Sequence, residues 1–401
     1  MLKAKRRTII NWAATLAGWM GLALVAEAQS LYWLGTLGGS RSDAYGVSAD
    51  GRVVIGSARD SQERTRAFRW TRTGGMQLLE EFATIVSSEA RGVSADGGVV
   101  VGWLNSGQGE RAFRWTEAGG LAILFDAPGR ALGVSADGEV VVGWTQLAQG
   151  TQAYRWTPQT GLQAIGGGST QAWGVSADGR TVVGRMPGAG GYQAFRWSEQ
   201  TGMQGLGVPE NGLQSYAYAV SADGRVVVGA WSPRGVTRVR AFRWSETHGM
   251  HTMTPDDEWL SDARGVSADG SLVVGIAAYY AHGRAFRWSP ETGAENLNEV
   301  FAHLLPDGSH LANAFAISPD GRYIVGVGHH WRTMRYEAFL LDAWREGDTN
   351  GDYRIDDADL LAVLFAFGSA GTGYTRHEDV NHDGVVDDAD LLIVLLQYDA
   401  E

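Results

Sequence analysis

The sequence predicts an all-β repeat domain followed by a small, acidic, all-α domain. Three observations carry that division. The phrase AYGVSADGRVVIG, starting at Ala44, returns in close variants at Ala90, Ala131, Ala172, Ala217, Ala263 and Ala314. Between returns, short segments rich in Val, Phe and Trp alternate with glycine-containing turns, which is a strand signal. After residue 344 the phrase stops, and fourteen acidic residues stand against three arginines around two leucine-rich runs.

Residues 1–28 precede the repeats and read as an export signal. Lys3, Lys5, Arg6 and Arg7 form a basic start, Ile9 to Val25 is mainly apolar, and Ala26-Glu27-Ala28 offers a small-x-small cleavage site before Gln29. The apolar run is short for a membrane span and holds Asn11, Gly18 and Gly21, so a cleaved signal is expected, with an uncleaved anchor as the alternative. Arg6-Arg7 also resembles the start of a twin-arginine signal, and both export routes accommodate it. The mature protein is expected outside the cytoplasm, secreted or at the cell surface.

The chain of 401 residues is 44% hydrophobic and 19% charged, which suits a globular protein with a sizeable core. It has no cysteine, so disulfides, thiol nucleophiles and cysteine-ligated metals are excluded. Lysine occurs only at Lys3 and Lys5, which excludes a Schiff-base lysine in the mature chain. The formal charge of −12 is concentrated at the C-terminal end, where residues 345–401 carry −11. Neither part has the basic face that nucleic acid would require.

The repeats lie 46, 41, 41, 45, 46 and 51 residues apart. The second shows the unit: ARGVSA, an Asp-Gly turn, GVVVGW, a loop at Gly107-Gln108-Gly109, RAFRWT, a Gly-Gly turn, then LAILF. Gly accepts the positive φ of such turns without steric cost. Four short antiparallel strands at this period describe a β-propeller blade, and seven phrases imply seven blades. The last repeat has a third strand, EAFLLDA, and no fourth. The segment LYWLG at Leu31 matches the fourth strands GMQLL and GMQGLG and is expected to pair there. That closure would leave no open sheet edge, and a monomer is expected. Strict alternation puts each starting Ala and the Gly or Ala two residues later on one face of a crowded inner strand. The SADG segments read as blade-building, and the FRW arginines (Arg69, Arg114, Arg155, Arg196, Arg243, Arg287) as solvated or stacked on Trp.

These residues resemble the bacterial extracellular HAF repeat, whose pattern runs A-x-GVSADG-x-VVVG, AFRWT, GM-x-LG. The resemblance covers about residues 31–342. It implies an exported propeller and no defined activity.

The tail repeats itself too. GDTNGDYRIDDADLLAVLFAFG from Gly347 aligns with EDVNHDGVVDDADLLIVLLQYD from Glu378. Loop positions 1, 3, 5, 9 and 12 are Asp348, Asn350, Asp352, Asp356 and Asp359, then Asp379, Asn381, Asp383, Asp387 and Asp390. With the carbonyls of Arg354 and Val385 at position 7, these are hard oxygen donors at the spacing that calcium requires, so two Ca2+ sites are expected. Only the exiting helix follows each loop; no helix precedes it. Duplicated loop-plus-helix units of this kind resemble a type I dockerin, over about residues 345–401, which implies a cohesin-like protein partner. Position 6 is Gly384 in the second loop and Tyr353 in the first, where a sharp turn prefers Gly. Positions 10 and 11 are Asp357-Ala358 and Asp388-Ala389, unlike the usual cellulosomal choices.

No nucleophile, P-loop or zincin motif occurs. His329-His330-Trp331 is expected in a loop, and neighbours on a strand cannot readily share one metal. The residues that vary while the frame repeats stand just before each starting Ala: Asp43, Glu89, Arg130, Gln171, Tyr216, Asp262 and Asn313. They would ring the mouth of a propeller channel and are the candidate ligand-binding set, with solvated loop ends as the plain alternative. Together these features predict 1–28 as signal, 29–344 as a seven-bladed propeller and 345–401 as a dockerin-like calcium domain. The expected function is non-catalytic binding of a partner protein or extracellular polysaccharide. A polysaccharide-cleaving propeller, for which Asp43, Glu89 and Asp262 are the available carboxylates, and a structural surface protein are the alternatives.

Overall fold

The computed structural model describes residues 29–80, 84–235, 238–253, 260–279, 282–344, 347–349, 355–369, 378–380 and 385–398. The expected signal at 1–28 lies outside them, as do Asn350, Asp352, Arg354, Asn381 and Asp383 of the calcium loops. Residues 31–341 form one compact unit, and the chain from 342 onward belongs to another.

Among the described residues, 28 strands run between Ser30 and Asp342. They form five four-stranded sheets and one eight-stranded sheet. In repeat 2, Ser87–Val93, Val99–Asn105, Glu110–Thr116 and Gly120–Ile123 pair antiparallel in chain order. The eight-stranded sheet is repeat 1 joined to repeat 7 by one parallel bridge, Arg41 to Tyr336. The N-terminal strand Ser30–Trp33 pairs with Arg335–Asp342, the third strand of repeat 7. There the Leu34 N–H donates to the Ala338 carbonyl at 2.9 Å. The first strands of successive repeats lie side by side in chain order, and that of repeat 7 (His310–Ile317) lies against that of repeat 1 (Gly38–Val47).

The repeated phrase is built into this arrangement residue by residue. In its turn, Ser48 Oγ accepts from the Val53 N–H at 2.9 Å and donates to Asp50 at 2.7 Å. Asp50 accepts from the Arg52 N–H at 3.0 Å. The same Ser–Asp pair closes the turn in the other six repeats. The turn glycine has positive φ, and a Cβ on Gly97 would come within 2.6 Å of Val53 in the preceding repeat. The turns are also bonded to one another. Each middle alanine donates its N–H to the matching carbonyl of the next repeat: Ala49 to Ala95, then Ala136, Ala177, Ala222, Ala268 and Pro319, at 2.8–3.2 Å. Pro319 has no N–H, so the series stops at the junction of repeats 7 and 1.

Further bonds cross between repeats. Ser88, Thr170, Ser215, Ser261 and Ser42 hydroxyls accept from third-strand N–H groups of Ala67, Ala153, Ala194, Ala241 and Ala338 at 2.8–2.9 Å. The last of these ties repeat 1 to repeat 7. The FRW arginines correct the expectation of solvated side chains. Arg114, Arg155, Arg196 and Arg243 donate to the turn-glycine carbonyl of the next repeat at 2.9–3.4 Å. Arg69 and Arg243 do lie over a Trp of the next repeat, Trp115 and Trp288. Apolar clusters fill the spaces between sheets. Val53, Ile55 and Ala67 meet Ala90, Val100 and Phe113, while Ala44, Val54 and Phe68 meet Val325, Ala338 and Leu340 of repeat 7.

In the second unit, helices follow both loops. After the short α1 of repeat 6 (Leu297–Val300), these are α2 (Asp357–Ala366) and α3 (Asp388–Gln397). Asp356 and Asp387 cap their N-termini, and Asp359 and Asp390 reach back to the cap N–H groups at 2.9 Å. These capping boxes satisfy backbone donors that begin every helix. Ile355, Val363, Val380, Val386, Ile393 and Val394 form the core between the two halves.

Candidate binding surface on the inner strands

The first strands are not regular. Every one carries a bulge at the residue after the starting Ala, where strict alternation predicts none. The bulge explains the glycine of VVVG. A Cβ on Gly56 would meet the Asp43 carbonyl oxygen, and the same clash recurs at Gly102, Gly143, Gly184, Gly229, Gly275 and Gly326. A bulge leaves one residue outside the ladder and re-aims its side chain. Those residues are Tyr45, Arg91, Leu132, Trp173, Tyr218, Arg264 and Phe315, all half-buried.

Sequence reasoning passed over this set, although its variability inside a fixed phrase was visible. Several of its members meet around the inner strands. Tyr45 lies 5.3 Å from Phe315, and the Arg91 guanidinium 4.2 Å from the Tyr45 ring. Trp173 lies 5.1 Å from Tyr218, and Arg264 4.2 Å over Tyr218.

The seven residues singled out from sequence sit two positions earlier, across the starting Ala, and the structure engages them unequally. Asp43 is buried and bound bidentately by Arg41 at 2.7 and 2.8 Å. Glu89 accepts from the Trp103 indole at 3.2 Å and lies 3.6 Å from Arg91. Arg130 is held bidentately by Glu110 of the preceding repeat and lies 4.1 Å over Trp103, so it shares that ring with Glu89. Gln171 stands opposite Arg185 in the ladder. Tyr216 donates to Gln214 and lies 6.1 Å from Trp173. Asp262 pairs with Arg264; burial pushes its carboxyl up to about 6, against the pull of that arginine. Asn313 is half-buried beside Gly283.

The three carboxylates proposed for cleavage chemistry are thus each paired with an arginine of their own strand. The histidine pair corrects another expectation. His329 and His330 end a strand rather than lying in a loop. His330 stacks on Trp33 at 4.8 Å and bonds Glu337 at 3.0 Å, while His329 faces His310 at 5.5 Å. Only Trp331 of the three is well exposed.

Of the metal set, Asp348, Asp359, Asp379 and Asp390 are buried, while Asp356 and Asp387 serve as helix caps. Asp359 also accepts from the Thr349 N–H at 2.7 Å. Val385 is exposed in its side chain, which leaves its carbonyl as the group of interest. Among the described residues, no cluster of three His, Asp or Glu is gathered for a metal. No helix of the described residues is long and apolar enough to cross a membrane.

No family model matches the sequence, and no curated protein matches it. Solved structures do. The propeller domain of the Trilobed protease from Pyrococcus furiosus matches at TM-score 0.51 and 10% identity, over 80% of this chain and 95% of its own. The repeat domain is a β-propeller. An oligogalacturonate lyase from Vibrio parahaemolyticus matches at TM-score 0.52 and 12% identity, over 78% of this chain and 93% of its own. TolB from Acinetobacter baumannii matches at TM-score 0.45 and 14% identity, over 65% of this chain; the chain spans 64% of that protein, less than two thirds. At these identities the propeller likeness concerns fold alone.

Proposed function

We propose that the protein is an exported binding protein, with a seven-bladed HAF-type propeller that recognises an extracellular partner or polysaccharide. Its dockerin-like tail would tether it through a calcium-dependent contact with a cohesin-like protein. The observation that carries the binding reading is the two clusters of aromatic and arginine side chains placed by the inner-strand bulges, Tyr45 with Arg91 and Phe315, and Trp173 with Tyr218 and Arg264. Aromatic and arginine side chains are the usual anchors of recognition surfaces. Cleavage of a glycan would call for two free, facing carboxylates, and the arginine pairing of Asp43, Glu89 and Asp262 favours binding instead.

The tail supports the second half of the reading in two ways. Its loops carry hard oxygen donors, four of whose carboxylates are buried, which fits a divalent ion. Calcium bound there would supply the positive charge that holds each loop together; the aspartates would orient it while also capping the helices. Leu361, Leu364 and Phe365 stand at helical spacing on α2 and are 49%, 51% and 87% exposed, an apolar face suited to a partner.

Calorimetry on the full mature chain tests the calcium step. Two sites of unequal affinity are expected, with Asp379→Ala weakening overall binding more than Asp348→Ala, because Tyr353 already burdens the first loop. Absence of binding would overturn the tethering reading. A glycan and protein-partner screen, with calcium and with chelator, tests the propeller independently.

A further inference from the structure

Repeats 4 to 6 carry a continuous strip that the frame does not require. Arg185 lies 4.1 Å over Tyr192 and 5.5 Å from Trp173. Trp173 lies 5.1 Å from Tyr218 and 6.1 Å from Tyr216, whose ring is parallel to that of Tyr218 within 8°. Arg264 closes the strip over Tyr218. All six are half-buried, so each leaves part of its surface in water. The core between these sheets is made by other residues, such as Val183, Val227 and Phe242.

Arg185 is the telling residue. Its guanidinium lies over two rings, and no carboxylate among the described residues pairs with it. The corresponding positions in repeats 2 and 3 are Trp103 and Trp144, so the frame does not demand arginine there. The half-buried guanidinium is thus open to an outside anion, and it matches a carboxylate in bidentate fashion. The rings beside it are amphipathic platforms, apolar on the face and polar at the tyrosine hydroxyl. Gln171 and Gln214 add amide groups within the same two repeats.

We propose that this strip is a subsite for a uronate-bearing saccharide chain, which rests on the binding reading above. A pyranose ring lays its C–H face on Trp173 or Tyr218, its hydroxyls meet the tyrosine and glutamine groups, and its carboxylate engages Arg185. A nucleic acid offers flat rings and anions too, but its affinity comes from several cations set along the phosphates. The other cation of the strip, Arg264, is already held by the buried Asp262, which leaves too few free cations to neutralise a run of phosphates. A single carboxylate on the sugar beside the rings suits the one uncommitted arginine, the other sugars being met by ring faces and amides.

The test is calorimetry on the full mature chain at fixed calcium, with four probes. These are tetramers of galacturonate, of mannuronate and of glucose, and an oligodeoxythymidylate. At least one uronate should bind more tightly than the glucose tetramer. Trp173→Ala should weaken that binding about tenfold, the equivalent of one lost ring contact. Arg185→Gln, which keeps the fold's polar character, should abolish the preference for uronate over glucose. Both variants should keep the parent's thermal transition, and Arg185→Gln provides the readout if Trp173→Ala does not fold. Binding of neither uronate, binding indifferent to Arg185→Gln, or preference for the oligonucleotide would overturn the proposal. Capture of a protein or a neutral glycan in that event would leave the broader binding reading standing.

Discussion

Asp262 shows how a single residue reports on the inner strands. It is 8% exposed, and burial raises its carboxyl to about 6 from an ordinary 3.8. An acid raised on folding keeps its proton longer in the native state. Between about pH 4 and 6 the native chain therefore binds more protons than the unfolded one, and stability falls as pH rises through that window. The shift corresponds to roughly 3 kcal/mol. Urea unfolding of the parent and of Asp262→Asn, compared from pH 4 to 7, should show a difference that moves by up to about that amount. A difference flat with pH would mean that Arg264 fixes the charge. Asp262 was visible in the sequence as a residue that varies before a fixed Ala. The re-aimed placement of its neighbour Arg264 was not, because alternation is the default for a strand and the extra residue shows only in the register shift at Ala263 and the close approach of Gly275 to the Asp262 carbonyl.

The turn element makes a different kind of prediction. Six turns pass an N–H to the next, and the seventh, at Pro319, cannot. Because repeat 7 accommodates proline at this place, Ala136→Pro removes one inter-repeat bond, from Ala136 to Ala177, without requiring a new backbone shape. The lost bond and its stranded carbonyl cost about 1–3 kcal/mol. The stiffer unfolded chain returns about 0.4–1 kcal/mol. A net loss near 1 kcal/mol is expected in denaturant unfolding, and a neutral result would show that the bonded turns add little. The Ser-Ala-Asp-Gly turns were legible as structural from their sevenfold recurrence. Their bonding across repeats was not, since it joins residues 41–51 positions apart. In the tail, helix placement was legible from the leucine runs, but sequence assigned Asp356, Asp359, Asp387 and Asp390 to metal alone. Each also belongs to a capping box, a role that the same Asp-x-x-Asp spacing encodes.

At the scale of the whole molecule, the pairing of Ser30–Trp33 with Arg335–Asp342 was the part of the topology most open to inference, because the seventh repeat visibly lacked a strand. Deleting residues 29–35 should expose the edge of Arg335–Asp342 and remove Leu34 and Tyr32 from the core they share with repeats 1 and 7. A lower melting temperature and concentration-dependent association on size-exclusion chromatography are expected; a truncated chain that stays monomeric and equally stable would show that the strand is dispensable. The same strand has a mechanical consequence. The chain leaves the propeller through Arg335–Asp342, which is paired on one side with Tyr323–His330 and on the other with Ser30–Trp33. Tension applied beyond residue 342 therefore loads a strand clamped on both flanks and further pinned by Ser42 at Ala338. Such a strand resists in shear, its bonds bearing the force together, whereas a free edge strand would peel away one bond at a time.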